Sequence, residues 1–303
     1  MIYTITLNPS VDYFMKVSSP VFTDVNRVQE YSFVAAGKGI NCSKILDILQ
    51  IPSQVIYFSG GRTGDFINSE LKQYRYMNIS PVEISGLTRI NVKIYGPVDN
   101  AFNSSGPVIS PEECDRLLSL LENINEDDVI IMSGSLPSGI NKDFIKKICH
   151  KASKAKLIVD VPEMKLDDFR GLNLWLIKPN IDELRSILND NNIDKTNYST
   201  YIQTILDTGV RNVLLSLGKD GSYFKGEYGE YEVHIPKVKQ IKSIAAGDTM
   251  LGAFAGMMIQ TNDITESLRR ANAAAVALVS CEGYPTEEMI RDTAATVTVR
   301  QIV

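Results

Sequence analysis

The sequence alternates between short, β-branched runs and segments in which apolar residues recur at helical spacing, and this alternation constrains the fold more than any other feature. Six runs have the composition of buried strands, and each leads through a turn into a helix-period segment: IYTITL, VIYFSG, VIIMSG, LIVDVP, LWLIKPN and NVLLSLG. This pattern is typical of a mostly parallel sheet with helices on both faces. We therefore predict an α/β fold with three layers, an αβα sandwich around a mostly parallel sheet.

Residues 11–34 and 87–105 interrupt this alternation, because they have the composition of strands but lack a following helix of their own. In the stretch RINVKI (89–94), apolar and polar residues alternate, so the pleat of a strand would send all the polar side chains to one face. That face is either solvated or turned toward a polar partner. We expect the two regions to form a small sheet that acts as a lid on a single domain spanning residues 1–303, since no repeat or low-complexity linker marks a boundary.

Composition and charge argue against several classes of function. The net charge of the 303 residues is -5 and no run of Lys or Arg exceeds two residues, so we expect no nucleic-acid partner. The most apolar helical stretch, residues 271–281, is far shorter than the roughly 20 residues of a bilayer span, and the first residues lack a basic leader pattern. We therefore expect a cytoplasmic protein without a membrane partner. Four widely spaced cysteines and two histidines argue against a zinc site and a His-based triad.

Polar or small residues follow five of the predicted strands. They are Asn8, the Ser133–Ser135 turn, Asp160, Lys178 with Asn180, and Ser216 with Gly218 and Gly221. Each alone is better explained as a turn or a helix cap than as a ligand contact, and Asn180 with Glu183 three residues later is a capping arrangement by itself. Because ligands of open parallel sheets bind beyond the carboxyl ends of the strands, the five together favour a crevice for a polar ligand.

The stretch AAGKGINCSKILDIL (35–49) has the features of an anion site. Gly37 and Gly39 allow a close approach of the backbone, Lys38 adds a cation, and the apolar spacing that follows predicts a helix whose N-terminus faces the same point. The spacing of a Walker A loop is absent.

A second candidate anion site lies in SIAAGDTM (243–250). Ala245, Ala246 and Gly247 have little side-chain bulk, so their backbone N–H groups are accessible to an anion at the start of the following helix. Asp248 is then either a cap favoured by the helix dipole or a general base beside an anion hole. The second arrangement is the one that phosphoryl transfer to a hydroxyl requires.

Seven segments, in this order, resemble the ribokinase-like, or PfkB, carbohydrate kinases, and specifically the branch of 1-phosphofructokinases and tagatose-6-phosphate kinases. The segments are TLNPSVD, GKGIN, TRINVKI, SGSLPSG, KPNIDEL, SLGKDGS and AAGDTM. The resemblance covers nearly the whole chain. It implies a ribokinase-like fold whose β-lid closes over the sugar and pairs two subunits in several members, and so a homodimer through the lid.

The resemblance also implies three groups of site residues, with ATP and Mg²⁺ as cosubstrate and cofactor. The chemistry would fall to Asp248 as the base and to Ala245, Ala246 and Gly247 as the anion hole. The sugar would be held by Asp12, Gly37, Lys38 and Asn41, with Lys38 and Arg89 near its phosphate. The nucleotide would be bound by Asn180, Glu183, Ser216, Gly218 and Gly221, with Asn272 beside the base and Glu183 holding Mg²⁺ through water.

Two positions depart from the family pattern. Ala245 stands where the family has the first glycine of G-A-G-D, so a positive φ at this position would cost roughly 1–2 kcal/mol of strain. The sequence DVPEM (160–164) replaces D-x-S-G, which puts any role of that loop in doubt.

The resemblance predicts an ATP-dependent kinase that phosphorylates a ketohexose monophosphate, with fructose 1-phosphate as first choice. Tagatose 6-phosphate and fructose 6-phosphate stay open as substrates. An alternative of another class is a regulator that binds a sugar phosphate without catalysing a reaction. The departure from the family pattern at Ala245 is the reason to consider it. A nucleoside or vitamin kinase on the same scaffold is a third reading, which requires an uncharged acceptor and no role for Arg89.

Overall fold

The computed structural model describes residues 1–18, 21, 23–95, 100–242 and 244–302. The strands are β1 (Ile2–Thr6), β2 (Ser10–Lys16), β3 (Glu30–Ala36), β4 (Ser53–Ser59), β5 (Met77–Glu83), β6 (Arg89–Tyr95), β7 (Asn100–Asn103), β8 (Val129–Ser133), β9 (Lys156–Asp160), β10 (Leu174–Ile177), β11 (Asn212–Ser216), β12 (Ser222–Gly226), β13 (Gly229–His234) and β14 (Thr298–Gln301). The α-helices are α1 (Lys38–Ile48), α2 (Gly61–Leu71), α3 (Pro111–Ser119), α4 (Lys142–Lys151), α5 (Ile181–Leu188), α6 (Tyr198–Leu206), α7 (Ala246–Thr261), α8 (Ile264–Val279) and α9 (Glu287–Ala294).

The main sheet has the strand order β14-β13-β12-β11-β10-β9-β8-β1-β4-β5. The strands from β5 to β11 in this order are parallel, whereas β12, β13 and β14 are added antiparallel. One apolar cluster packs α3, α4, α5 and α6 against one face, and a second packs α1, α7, α8 and α9 against the other. The predicted three-layer α/β architecture is confirmed, and the parallel strands end together at one edge.

The prediction that a helix follows each of the six strand-like runs is wrong for three of them. IYTITL is followed by β2 of the small sheet. NVLLSLG is followed by the hairpin of β12 and β13, because Gly218 and Gly221 adopt φ of 63° and 93° and reverse the chain. A Cβ on Gly221 would overlap the carbonyl oxygen of Val233, so only glycine fits this turn. LIVDVP is followed by a short 3₁₀ helix, Leu166–Phe169, where we expected an α-helix.

The two regions that interrupt the alternation form a separate sheet with the order β3-β2-β6-β7. Residues 19, 20, 22 and 96–99 of the predicted lid lie outside the described residues. The register pairs Asp12 with Asn91, and both side chains are buried, with Asn91 Nδ2 donating to Asp12 Oδ1 at 2.9 Å. Asp12 and Asn91 are thus neighbours on the polar face of this sheet, and they hydrogen-bond to each other. The role of this sheet as a lid remains a prediction.

The opposite face of the small sheet is apolar. Tyr13 and Phe33 stack with ring centroids 4.5 Å apart, and Tyr31, Phe33, Ile90 and Phe102 are exposed. Among the helices of the described residues, none combines the length and the apolar character needed to cross a bilayer.

Candidate active site

Asp248 lies in the first turn of α7 and is only 7% exposed. Its Oδ2 accepts a hydrogen bond of 2.8 Å from Asn41 Nδ2 on α1. The two helices can approach closely because Gly252 faces α1, where a Cβ would lie 2.7 Å from the carbonyl oxygen of Cys42. The predicted base and the predicted sugar-binding amide are thus in direct contact.

The surroundings of Asp248 raise its pKa to about 6. Burial is the main cause and the charge of Asp160 adds to it, while Lys38, the hydrogen bond from Asn41 and Lys178 act in the opposite direction. A carboxylate with this pKa is mostly ionised at neutral pH and is still basic enough to accept a proton from a hydroxyl in a transition state.

Lys38, at the start of α1, lies between two carboxylates. Its Nζ is 3.2 Å from Asp160 Oδ2 and 3.3 Å from Glu183 Oε1. Burial alone would lower the pKa of Lys38, but the charges of Asp160, Glu183 and Asp248 raise it above its ordinary value. The ammonium therefore stays charged, with 29% of the side chain exposed and within reach of a ligand.

Asp160 is buried at the carboxyl end of β9, and Ser133 Oγ donates to its Oδ2 at 3.0 Å. Burial would raise the pKa of Asp160, but Lys178, Lys38 and the hydrogen bonds hold it below its ordinary value. The sequence placed Asp160 at a strand end, but the departure of residues 160–164 from the family pattern left its role in doubt. In the structure it belongs to the charged cluster around Asp248.

Lys178, which follows β10, is one of the strand-end residues that predict the crevice, but neither the spacing nor the family resemblance assigns it a role. The residue is only 4% exposed, and a Cβ on Gly247 would lie 3.1 Å from its Nζ. In the part of the chain that the structure describes, no acceptor lies within hydrogen-bonding distance of this ammonium, and its charge acts on Asp160 and Asp248. A buried, unpaired cation against the start of a helix is suited to bind an anion. Its position directly after a buried strand was the available signal.

Arg89, at the start of β6, donates from Nη1 to the carbonyl oxygen of Ser104 at 2.8 Å and from Nη2 to that of Asn8 at 2.9 Å. Ser135 Oγ is 3.4 Å from Nη2. The turn that contains Ser135 also carries Gly134, and a Cβ there would lie 3.8 Å from Cβ of Lys38. The two predicted phosphate-binding cations therefore lie along one turn.

The residues predicted for the nucleotide surround the ends of β10 and β11. Asn180 and Glu183 form a reciprocal capping box at the start of α5, with both hydrogen bonds at 2.9 Å, and Asn180 pairs with Ser216 in an isolated bridge. Glu183 thus serves the cap through Oε2 and Lys38 through Oε1. The capping bond and the ion pair with Lys38 therefore coexist at this residue.

Asn272, predicted beside the base, donates its amide to Ser222 Oγ and to the carbonyl oxygen of Leu268, both at 2.9 Å. The amide that contacts Asp248 is that of Asn41. The Oδ1 atom of Asn272 is buried and has no hydrogen-bond partner among the described residues.

The predicted Mg²⁺ ligand is a single half-buried carboxylate, Glu183. Among the described residues, no group of three or more His, Cys, Asp and Glu side chains is placed to hold a metal ion. This donor set fits Mg²⁺ better than Zn²⁺ or Ca²⁺, because Mg²⁺ keeps several waters and binds through one or two carboxylates together with substrate phosphates.

The chain is similar to known carbohydrate and sugar-phosphate kinases over nearly its whole length. The family model described as pfkB family carbohydrate kinase matches residues 5–288. A 1-phosphofructokinase of Borreliella burgdorferi is 34% identical over 96% of each chain, and a D-tagatose-1-phosphate kinase of Bacillus licheniformis is 30% identical over 100% of each chain. The crystal structure of phosphofructokinase-2 from Escherichia coli in complex with substrates and products superposes with a TM-score of 0.90 at 25% identity, covering 97% of this chain and 98% of that one.

Ala245 has a φ of 66° and a ψ of 5°, a left-handed conformation. We expect Ala245→Gly to increase the free energy of unfolding by roughly 0.5–1 kcal/mol, because glycine removes the strain of the Cβ and loses part of the gain to chain entropy. Urea unfolding measures the change. The control is Ala246→Gly at the first helical position, which should lower the same quantity by a similar amount. A loss of stability in both variants would contradict the strain.

Proposed function

The chain belongs to the PfkB family of carbohydrate kinases, and on this premise we propose that it transfers the γ-phosphoryl group of ATP to a hydroxyl of a ketohexose monophosphate, with fructose 1-phosphate as substrate and fructose 1,6-bisphosphate as product. Relatives named 1-phosphofructokinase and D-tagatose-1-phosphate kinase support a substrate of this class. ATP and a phosphorylated sugar as substrates favour a cytoplasmic place of action. The observation that carries the proposal is the buried carboxylate of Asp248 beside the start of α7 and the unpaired Lys178.

In the proposed reaction, Asp248 accepts the proton of the attacking sugar hydroxyl. Asn41 holds the carboxylate through its 2.8 Å hydrogen bond and can contact the sugar with the same amide. The backbone N–H groups of residues 245–247 and the ammonium of Lys178 stabilise the charge that spreads over the transferred phosphoryl group. Burial of the site excludes water, which would otherwise compete as acceptor.

The phosphate already present on the sugar would be bound by Lys38 and Arg89. Both side chains lie along the turn of residues 133–135, and Arg89 Nε is buried without a partner among the described residues. A dianionic phosphate offers the acceptors that this guanidinium edge lacks. Asp12 would bind a sugar hydroxyl from the polar face of the small sheet, which would close over the sugar as a lid.

The nucleotide phosphates would reach the start of α7 from the side of β10 and β11, where Ser216, Gly218 and Gly221 line the turn and Asn272 is close by on α8. Mg²⁺, bound with ATP, would neutralise charge on the phosphates. Glu183 and Asn180 would hold its waters from the start of α5. The carboxylate of Glu183 would then release Lys38 and contact the waters bound to Mg²⁺ instead.

Purified protein should release ADP from Mg-ATP with fructose 1-phosphate and lose this activity with EDTA. Tagatose 1-phosphate, tagatose 6-phosphate and fructose 6-phosphate are the comparison substrates.

Asp248→Asn should reduce kcat by at least about hundredfold, since general-base catalysis is usually worth that much. The control is Asp263→Asn, which changes an exposed N-cap of α8 and should leave turnover intact. Thermal stabilisation by the sugar phosphate without turnover would indicate a regulator in place of a kinase.

The same Asp248→Asn variant should be more stable than the wild type at neutral pH. The folded-state pKa of Asp248 is raised above the ordinary 3.8 to about 6, so the folded protein binds this proton more tightly than the unfolded chain. This proton contributes at most about 3 kcal/mol to the free energy of unfolding. The contribution is fully present below pH 3.8 and is lost as the pH rises through about 6. The difference in unfolding free energy between variant and wild type should shrink at acid pH, which urea unfolding across pH can measure.

Arg89→Ala tests whether the sugar that accepts the phosphoryl group already carries a phosphate that Arg89 binds. Loss of a charge-assisted contact of about 1.5–3 kcal/mol should lower kcat/KM for the sugar phosphate by about tenfold to hundredfold, without changing the slow rate with unphosphorylated fructose. The matched control is Lys93→Ala, two residues along the same face of β6, where Nζ donates to Asn103 Oδ1 in an exposed pair. Unchanged kinetics in Arg89→Ala, or turnover of a nucleoside, would favour an uncharged acceptor.

We also propose that a second copy of the chain covers the apolar face of the small sheet. This face exposes Tyr31, Phe33, Ile90 and Phe102 together, and pairing it with an identical face in a two-fold dimer would bury apolar surface on both sides. Light scattering should then give a mass twice the 33.6 kDa of one chain. Phe102→Asp should yield a monomer, whereas Leu120→Asp, an exposed apolar position at the end of α3, should not. A wild-type monomer at high concentration would contradict the proposal.

A further inference from the structure

Tyr284 lies in the loop between α8 and α9 and reaches across to α1. Its hydroxyl is 3.1 Å from Asn41 Oδ1, and Asn41 Nδ2 is 2.8 Å from Asp248 Oδ2. Three side chains from separate segments thus form a continuous line of hydrogen bonds that ends on the proposed base.

The chemistry of the three groups fixes the direction of the hydrogen bonds. An ionised carboxylate only accepts, so Asn41 must turn its NH₂ group toward Asp248, and its carbonyl oxygen is left to face a donor. Burial raises the pKa of the Tyr284 phenol well above its ordinary value, so the hydroxyl keeps its proton and can donate. Because rotation about the terminal bond of an asparagine side chain is soft, the amide needs such a partner to keep one orientation.

The ring of Tyr284 is itself held in place by two lysines. The Nζ atoms of Lys44 and Lys242 are 5.5 Å and 5.9 Å from its centroid, and Lys242 also donates to the carbonyl oxygen of Gly283. Lys44 is 1% exposed and donates to the carbonyl oxygen of Ala35 at 2.7 Å. A cation near the ring face attracts its π electrons, which fixes the ring and makes the hydroxyl a better donor.

We propose that Tyr284 is a positioning residue of the phosphoryl transfer: its hydroxyl keeps the NH₂ group of Asn41 turned toward Asp248, and through Asn41 it keeps the carboxylate aimed and ionised. The inference rests on the proposed function for its kinetic consequence. The arrangement of the three side chains is independent of the substrate. Tyr284 need not touch the sugar or the nucleotide.

The charged and titratable groups that face Asp248 come from four elements. They are Lys38 and Cys42 of α1, Asp160 at the end of β9, Lys178 after β10, and Tyr284 itself. The pKa of Asp160 is held below its ordinary value, and those of Lys38 and Cys42 are raised. Between about pH 5 and 8, where Asp248 titrates, Asp160 and Lys38 therefore stay charged and the Cys42 thiol stays neutral.

The test is Tyr284→Phe, which keeps the ring and removes only the hydroxyl. Carbon-13 NMR of the Asp carboxyl groups, with the Asp248 signal assigned through Asp248→Asn, gives the pKa of the base without any need for turnover. We expect that pKa to rise by roughly half to one unit, because the hydrogen bond from Asn41 to the charged form becomes weaker. The acid limb of the kcat profile with the sugar phosphate should move by the same amount, with kcat within about twofold of wild type near pH 8.5.

Tyr76→Phe is the matched control, because the Tyr76 hydroxyl also contacts an amide oxygen, Gln50 Oε1 at 3.3 Å, in an exposed pair. It should change neither the pKa of Asp248 nor the profile. Addition of Tyr284→Phe to Asn41→Ala should leave the pKa of Asp248 where Asn41→Ala alone puts it.

An unchanged pKa of Asp248 in Tyr284→Phe would overturn the inference, as would an equal further rise in the Asn41→Ala background. A fall in kcat by the same factor at every pH would point to a merely structural role and also overturn it. If the wild type turns over no sugar phosphate, the proposed function fails, and the NMR titration still decides whether Tyr284 controls the amide.

Discussion

The carboxylate of Asp248 has to be buried and yet carry a charge at neutral pH, and much of the local structure serves this requirement. An unpaired buried carboxylate would take up a proton. Here the hydrogen bond from Asn41, the ammonium groups of Lys38 and Lys178, and the N-terminal end of α7 oppose that uptake. The opposing effects leave the pKa at about 6, low enough for ionisation and high enough for a useful base.

These compensating charges reach Asp248 because the parallel strands deliver their following residues to one edge of the sheet. Lys38 is separated in sequence by 122 residues from Asp160 and by 145 from Glu183, and Asn41 by 207 from Asp248. Lys38 joins the two halves of the site, since it begins the helix that carries Asn41 and pairs with the carboxylate that caps α5. The topology of the sheet therefore determines the electrostatics of the base.

Local patterns in the sequence predicted the parts of the site that depend on local physics. The strand ends, the start of α7 and the capping arrangement of Asn180 with Glu183 follow from spacing, and the resemblance to a family indicates Asp248 as the base. The strand-end position of Lys178 is predictable, but the surroundings of Lys178 and Tyr284 are not, because they are formed by distant segments. The hairpin after β11 was also missed, since the positive φ of Gly218 and Gly221 outweighs the helical spacing that follows.

Three features around the start of α7 lower the stability of the fold. Ala245 is held in a left-handed conformation, Lys178 is buried without an acceptor among the described residues, and ionised Asp248 opposes folding at neutral pH. They persist because α7 is anchored elsewhere: Phe254 is fully buried against Trp175, with centroids 6.0 Å apart, in the cluster that joins α7 to the sheet. A strained backbone conformation persists at a functional site only where the packing around it stabilises that conformation by more than the strain costs. The apolar side of α7 thus holds its polar end in a conformation that this end would not adopt alone.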